Sequence, residues 1–365
     1  MIESNEKRYQ AVIRIALAFL VATAVFAAVI TLCGHNPLDA FRQMVRGAFG
    51  SKFNFGSTLE DFILILIVGS AYSLTRRIGY FNIGLEGCLY VGAMFTCAPG
   101  FLLPELPSYI IIPICLTCGM LAGAIWASIG GALKAFFNVN EACVTIMLNY
   151  VAIALTDYLL SNTWSAHSAA PETPHVQANA MFPKLPLAPS RASYTIVIAV
   201  LVYIFVYFLT FRTTFGFKFR NVADNPRFCD AVGIKSKWVL LGTVMLSGAL
   251  GALAGGCEVL GIYGNFIQNF SVNSAFNGII ACLLVKNNLN LLPLSAFFIA
   301  CTRTGGDGME YYTGVPSALI DTVVPILILF VAMDRMFDYT KILNAIKRKI
   351  QKKKKGLPEG GEAKV

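Results

Sequence analysis

Val222-Ala223-Asp224-Asn225-Pro226-Arg227-Phe228-Cys229-Asp230-Ala231-Val232-Gly233-Ile234 lies inside a polar interruption, residues 212–237, of an otherwise oily chain. The interruption separates two apolar runs, 193–211 and 238–262, each long enough to cross a bilayer as a helix of about 20 residues. Within it the residues spell a self-contained short helix. Asn225 is a good N-cap, Pro226 suits the first helical position, and Gly233 fits the left-handed residue that closes a helix. Phe228 and Val232 are four apart and share one face. A capped two-turn helix between two membrane spans is a shape for touching another protein.

Working outward, apolar runs recur along the whole chain, at 11–32, 59–74, 80–98, 109–133, 141–160, 193–211, 238–262, 274–286, 289–302 and 315–333. Hydrophobic residues make up 56% of the 365 and charged residues 13%, with a mean hydropathy of +0.65. A soluble domain carries roughly 25% charge. We therefore expect an all-α integral membrane protein of about ten transmembrane helices. The runs at 274–286 and 289–302 are short for a crossing. They are expected to form a broken or re-entrant pair, which a membrane protein accommodates only where the backbone is buried in protein or lines a cavity.

The net charge of +9 reports orientation rather than nucleic-acid binding. With the N-terminus inside, 23 of the 29 basic residues are cytoplasmic, and only Arg42, Arg46, Lys52, Lys184, Arg191 and Arg303 lie outside. Both termini are thus expected in the cytoplasm. The layout follows: a cytoplasmic N-terminus over 1–10, a transmembrane domain over 11–333 containing the 212–237 loop, and a basic cytoplasmic tail over 334–365. The tail's lysine run is read as hugging anionic membrane lipid.

Two outer segments have character of their own. Residues 33–58 place Phe41, Met44, Val45 and Ala48 at helical spacing opposite Arg42, Gln43 and Arg46, the pattern of an interfacial amphipathic helix. Residues 161–192 hold five prolines, which forbid a long helix and fit an ordered cap or docking loop.

The ten cysteines mostly fall in or beside apolar runs, where free Cys packs as a small hydrophobe. Cys115 and Cys118 lack the companions of a metal site. Leu32 before Cys33 is too large for a lipoprotein cleavage site, so the first run is read as an uncleaved helix. Around Ser247-Gly248-Ala249-Leu250-Gly251-Ala252-Leu253-Ala254-Gly255-Gly256 two small-residue faces share one helix, which allows close backbone approach on both sides. This helix is expected at the centre of the bundle.

Ionisable residues inside spans cost about 2.5–3.5 kcal/mol at a helix centre, so each is a candidate for function. Glu86 follows Asn82 and Gly84 in a stretch that reads as a helix start not at the membrane edge. For Glu86 a pathway role and a structural bond to backbone weigh equally. For Glu258, after Gly255 and Gly256, and for Asp321 the structural reading leads. Asp157 and Glu310 are placed near an aqueous boundary. Asn149 reads as an interhelical hydrogen-bonding residue before it reads as a ligand. No glycine is followed by lysine, which excludes a Walker A phosphate loop. His35, His167 and His175 make neither a metal nor a triad spacing, and no nucleophile cluster lies at depth, so catalysis and metal binding are not expected of this chain.

Taken in order, these motifs resemble a known family. Phe81-Asn82-Ile83-Gly84-Leu85-Glu86-Gly87, then Val139-Asn140-Glu141 with Thr145-Ile146-Met147-Leu148-Asn149-Tyr150, then Val222-Ala223-Asp224-Asn225-Pro226 with Gly233-Ile234 are similar to permease subunits of bacterial ATP-binding-cassette importers for simple sugars, branched-chain amino acids and nucleosides. Downstream, Glu258-Val259-Leu260-Gly261, Phe276-Asn277-Gly278-Ile279, Lys286-Asn287-Asn288, Gly305-Gly306-Asp307 and Gly314-Val315-Pro316-Ser317-Ala318-Leu319 look most like nucleoside permeases. The resemblance covers roughly 59–333. It implies a plasma-membrane subunit working with a second permease (a heterodimer), an ATP-binding-cassette ATPase that uses ATP and Mg, and an extracytoplasmic solute-binding protein. It also implies that Asp224, Asn225, Pro226, Arg227, Phe228, Val232 and Gly233 form the helix that docks on the ATPase. Asn82, Glu86, Asn149, Glu258 and Asn277 are the pathway candidates.

Three positions depart from the family pattern: Cys88 stands where Gln is usual, Asn277 where Asp is common, and Leu289 where Pro is expected. Riboflavin and simple-sugar permeases share the architecture and remain alternatives for the solute. A self-sufficient secondary transporter or channel is the rival class.

Overall fold

The computed structural model describes residues 34–317, except 169, 187–188 and 272, together with Ala27, Ala28, Ile30 and Thr31. Most of the first apolar run, nearly all of the last, Asp321 and the basic tail fall outside the described residues. Those described hold eleven α-helices: α1 (Pro37–Phe49), α2 (Lys52–Arg77), α3 (Leu85–Leu102), α4 (Ser108–Phe137), α5 (Glu141–Asn162), α6 (Thr195–Arg212), α7 (Thr214–Asp224), α8 (Pro226–Ala231), α9 (Ser236–Glu258), α10 (Ser274–Leu284) and α11 (Leu292–Thr313). A π-helical turn, Val259–Tyr263, extends α9. No β-strand occurs among the described residues, only the isolated bridges Glu172–Ile267 and Lys184–Ser193. Among the described residues six helices are long and apolar enough to cross a membrane: α2, α3, α4, α5, α6, and α9 with its π turn.

The small-residue helix α9 sits at the centre because both of its small faces are used. Gly248 and Ala252 meet Gly123 and Ala127 of α4, and Gly251 and Gly255 meet Leu85, Leu89 and Ala93 of α3. A Cβ on Gly92 of α3 would come within 2.3 Å of the Ala252 Cα, so the two backbones are in direct contact. On a third side the Ser247 hydroxyl donates to the Ala71 carbonyl of α2 at 2.8 Å. Without a hydrophobic drive between helices in lipid, such close approach supplies the packing energy.

The two halves of the bundle mirror one another. Helix α2 ends at Arg77, the chain runs non-helically through 79–84, and the shorter α3 then packs beside α9. Likewise α9 ends in its π turn, the chain runs through an irregular 264–273, and the shorter α10 packs beside α2. Helix α10 approaches α2 closely, since a Cβ on Gly278 would meet Val68 Cβ at 2.6 Å.

The run at 289–302 departs from expectation. It is not a short re-entrant piece but the first half of the 22-residue α11, which continues through Arg303 and Asp307 to Thr313. Hydropathy ends the run at Arg303 because it counts that side chain as solvated. In the folded chain Arg303 bonds inward to Ser274, and Thr304 bonds to Asp61, so the helix carries its polar groups within the bundle. Arg303 is accordingly not a loop residue.

The 33–58 segment forms a helix, α1; its buried face is Ala40, Gly47 and Ala48 against α11, and Phe41 and Val45 are about half exposed. Gly47 decides this face, because a Cβ there would reach the Gly308 Cα at 2.8 Å. The spanning helix α2 begins at Lys52, seven residues before the apolar run.

The proline-rich 161–192 segment is ordered by backbone bonds to the π turn and the loop after it: Thr173 N–H to Phe266, Val176 N–H to Gly264, and Phe182 N–H to Leu260, at 2.9, 2.8 and 3.0 Å. It caps one end of the bundle.

Candidate functional site

At the other end lies the capped helix. The Asn225 side chain accepts from the Phe228 N–H at 3.0 Å, Pro226 occupies the first turn, and Gly233 is left-handed at φ 87°. Asp224, Pro226 and Arg227 are exposed. Phe228 and Val232 are 62% and 56% exposed, a large apolar surface left uncovered by the described residues. Only Cys229 of α8 points into the bundle. Helix α7 precedes α8 in the same interruption and was not legible as a separate helix. It buries Gly216, Phe219 and Val222.

A second device fixes where α8 meets the bundle. The Asp230 carboxylate accepts from the Ser236 backbone N–H and from its hydroxyl, both at 2.9 Å. Those two bonds hold the Asp230 carboxyl below its usual range. Those bonds tie α8 to the first turn of the central helix α9.

From Ser236 to Glu258, α9 spans roughly 33 Å at 1.5 Å per residue. At its far end is a cavity of about 200 Å³. Its polar lining includes Glu60, Asp61, Glu258, Arg303, Thr304 and Asp307, with Tyr263 and Phe270 among its rings. Arg303 Nε stands 3.8 Å from Asp61 Oδ1, and Glu258 Oε2 accepts from Ser271 at 2.9 Å.

The five pathway candidates divide. Glu258 lines the cavity. Glu86, only 4% exposed, accepts from the Ala275 N–H at 2.8 Å. It thereby satisfies an orphan donor in the first turn of α10, where a negative group is favoured by the helix dipole. Asn149 of α5 bridges the break before α3, accepting from Gly87 N–H at 2.8 Å and donating to the Ile83 carbonyl at 3.0 Å. Asn82 caps the same break through the Gly84 N–H at 3.1 Å and reaches Ser247 at 3.4 Å. Asn277 is half-buried on α10, outside the cavity lining.

Glu60, Asp61, Arg303 and Asp307 are absent from the sequence-based candidates. Two signals existed. Glu60-Asp61 is a carboxylate pair at the start of an apolar run, and Arg303 and Asp307 are four apart on one helical face.

Comparison with known proteins agrees with this architecture. The pattern of the family described as branched-chain amino acid transport system / permease component matches residues 54–333. A guanosine ABC transporter permease of Bacillus subtilis (NupP) is 31% identical, over 87% of this chain and 91% of its own. A nucleoside ABC transporter permease of Lactococcus lactis (NupB) is 26% identical, over 94% and 96%. A glucose ABC transporter permease of Haloferax volcanii (TsgB13) is 28% identical, over 91% and 90%. No solved structure matches. With a family pattern covering most of its length and, among the described residues, six helices long and apolar enough to cross a membrane, the chain belongs to the branched-chain amino acid transport system permease family and is the multi-pass membrane subunit, not the ATPase, of an ATP-binding-cassette importer.

Proposed function

We infer that the chain passes a nucleoside inward across the bacterial plasma membrane, at the expense of ATP and Mg used by a partner ATPase. The observation that carries this reading is the nearly full-length similarity to guanosine and nucleoside permeases. The glucose relative, of similar coverage, favours a second reading, a simple sugar. A sugar ring or chain bearing hydroxyls is common to both, and to the riboflavin alternative.

The full chain in this reading has about ten spans, with 1–10 and the 334–365 tail in the cytoplasm and 11–333 as the permease domain. Its orientation is supported by where the basic residues gather. Arg76 and Arg77 end α2, Lys134 lies in the last turn of α4, and the 212–237 loop carries six more, all at the α8 end. Contacts join these groups: Arg77 lies over the Phe211 ring at 5.0 Å, and Lys237 over Phe136 at 5.8 Å. By the positive-inside rule that end is cytoplasmic and the cavity faces outward.

The α8 helix then docks on the ATPase through Phe228 and Val232, with Asp224, Asn225, Pro226, Arg227 and Gly233 shaping it. A second, non-identical permease completes the pathway, a solute-binding protein delivers the solute to the cavity end, and anionic lipid holds the tail. Asn82, Glu86, Asn149, Glu258 and Asn277 set the walls and the breaks through which α3 and α10 move.

Reconstituting the chain with its partner permease, ATPase and binding protein tests this. Phe228→Ala with Arg227→Glu should reduce ATP-driven guanosine uptake at least fivefold while the permease still purifies as a folded protein. Undiminished uptake would refute the docking role, and uptake by this chain alone on an ion gradient would refute the importer reading.

A further inference from the structure

Where α2, α6 and α7 meet at the α8 end, cations gather without an acid to answer them. Arg77, the last residue of α2, is half-buried there, and its guanidinium is oriented from two sides. Its Nη2 donates to the Asn287 carbonyl at 3.1 Å, and the group lies over the Phe211 ring of α6 at 5.0 Å. Arg220 of α7 is exposed, donates from Nε to the Gly216 carbonyl at 3.2 Å, and is near enough to repel Arg77 electrostatically. Exposed Arg76 shares the corner, since both it and Arg77 act on Cys282. None of the three arginines makes an ion pair among the described residues. Glu141 and Asp61 are engaged elsewhere, with Lys134 and Arg303, and Asp224 makes no ion pair with Arg220 although it follows one turn later on α7.

From this corner an apolar surface runs along the membrane. Leu201, Ile204, Phe208 and Phe211 are exposed and spaced three, four and three apart, so they form one stripe of α6. The stripe ends at the ring under Arg77. Ala199, Val202, Val206 and Thr210 face the bundle instead. An apolar stripe alone meets any lipid tail. Two guanidiniums at its end, on different helices and repelling one another, are drawn together when an anion lies between them. Arginine matches phosphate oxygens with paired N–H donors, and basic pockets between spanning helices take anionic head groups. A soluble anion would use the arginines and leave the stripe idle, whereas a phospholipid uses both.

We propose that this groove binds one anionic phospholipid, its phosphate between Arg77 and Arg220 and an acyl chain along the α6 stripe. The bound lipid ties α7, and with it α8, to the end of α2. It sits in the cytoplasmic leaflet under the orientation inferred above, and its binding does not depend on the solute carried.

Native mass spectrometry of the assembled permease pair and ATPase, titrated with phosphatidylglycerol, phosphatidylcholine and inorganic phosphate, tests the site. Phosphatidylglycerol should bind at least about tenfold more tightly than phosphatidylcholine, and inorganic phosphate should compete far less well than the lipid. Arg220→Gln should cut the preference about fivefold, the worth of one basic residue at an anionic surface. Its side chain bonds only within α7, so folding is not at stake as it is for Arg77→Gln. Lys235→Gln removes an equally exposed charge from the same loop and should change the preference by less than about twofold. The tail keeps its lysines in every variant, so the difference Arg220→Gln makes belongs to the groove. In nanodiscs, which expose both leaflets, amides 214–224 should exchange more slowly in phosphatidylglycerol than in phosphatidylcholine, and Arg220→Gln should abolish that slowing. Equal binding of the two lipids, an unchanged preference in Arg220→Gln, an equal loss in Lys235→Gln, phosphate competing as well as the lipid, or exchange indifferent to the lipid would each overturn the site. Guanosine uptake by the wild-type importer is a separate readout, and its absence sinks the transport reading alone.

Discussion

Replacing Asn149 with Leu should loosen the whole bundle although Asn149 touches no cavity. Its amide is 6% exposed and holds two backbone groups that no helix ladder serves, the Gly87 N–H and the Ile83 carbonyl. An ordinary interhelical side-chain bond in a membrane is worth only ~0.6 kcal/mol, and ~1.7 at most. Here, however, the substitution leaves a buried donor and a buried acceptor unmet, at about 1–3 kcal/mol each. A combined loss of about 2–4 kcal/mol is therefore expected. Heating the purified protein with a thiol-reactive fluorophore measures it, because Cys88, Cys97, Cys257 and Cys282 are buried free thiols that react only when the bundle opens. Asn149→Leu should open several degrees below wild type. Ser128→Ala is the control, since that hydroxyl only bonds Ile125 of its own helix and should shift stability by less than about 0.5 kcal/mol. If the two variants melt together, the bridging role assigned to Asn149 is wrong.

Further outcomes follow from the geometry. Gly92→Val places side-chain atoms where the Ala252 backbone lies and should abolish monodisperse protein on size-exclusion chromatography, whereas Gly242→Ala, with nothing within 4 Å, should gain about 0.5–1 kcal/mol in the same melting assay. Asp230 has a lowered carboxyl pKa, so what it contributes at the α8–α9 junction is complete above the unfolded-state value of about 3.9 and is lost as pH falls through the folded value. Amide protection of residues 230–236, corrected for intrinsic exchange, should be flat from pH 8 to 5 and fall only below about pH 4. Asp230→Asn should lower protection throughout and remove the acid dependence.

Much of this was legible before any coordinates. Local rules sufficed for α8, because an Asn cap, a Pro in the first turn and a left-handed Gly act within a few residues of one another. Stripe periodicity sufficed for α9 as the central helix, because small residues at spacing four define faces whatever they meet. The break before α3 was visible in Asn82 and Gly84 for the same local reason. Hydropathy misjudged α11, since it scores Arg303 by the cost of leaving water and cannot see Ser274 or Asp61. Nor could it show which face of α1 meets α11, where Gly47 governs because its backbone touches Gly308.

The chain's pattern of apolar runs, caps and basic residues thus decided its class, its central helix and the exposed lever between two spans, all properties of residues within one or two turns of each other. Only the tertiary fold assembled the cavity, because Glu60, Glu258 and Arg303 are distant in the chain and come together through the antiparallel packing of α2 and α9 and the return of α11. Only the fold, too, divided the polar residues, giving Asn82, Asn149 and Glu86 to the broken backbone and Glu258 to the cavity. The physical reason is that a buried polar group takes its role from the partner that satisfies it, and that partner is chosen in space.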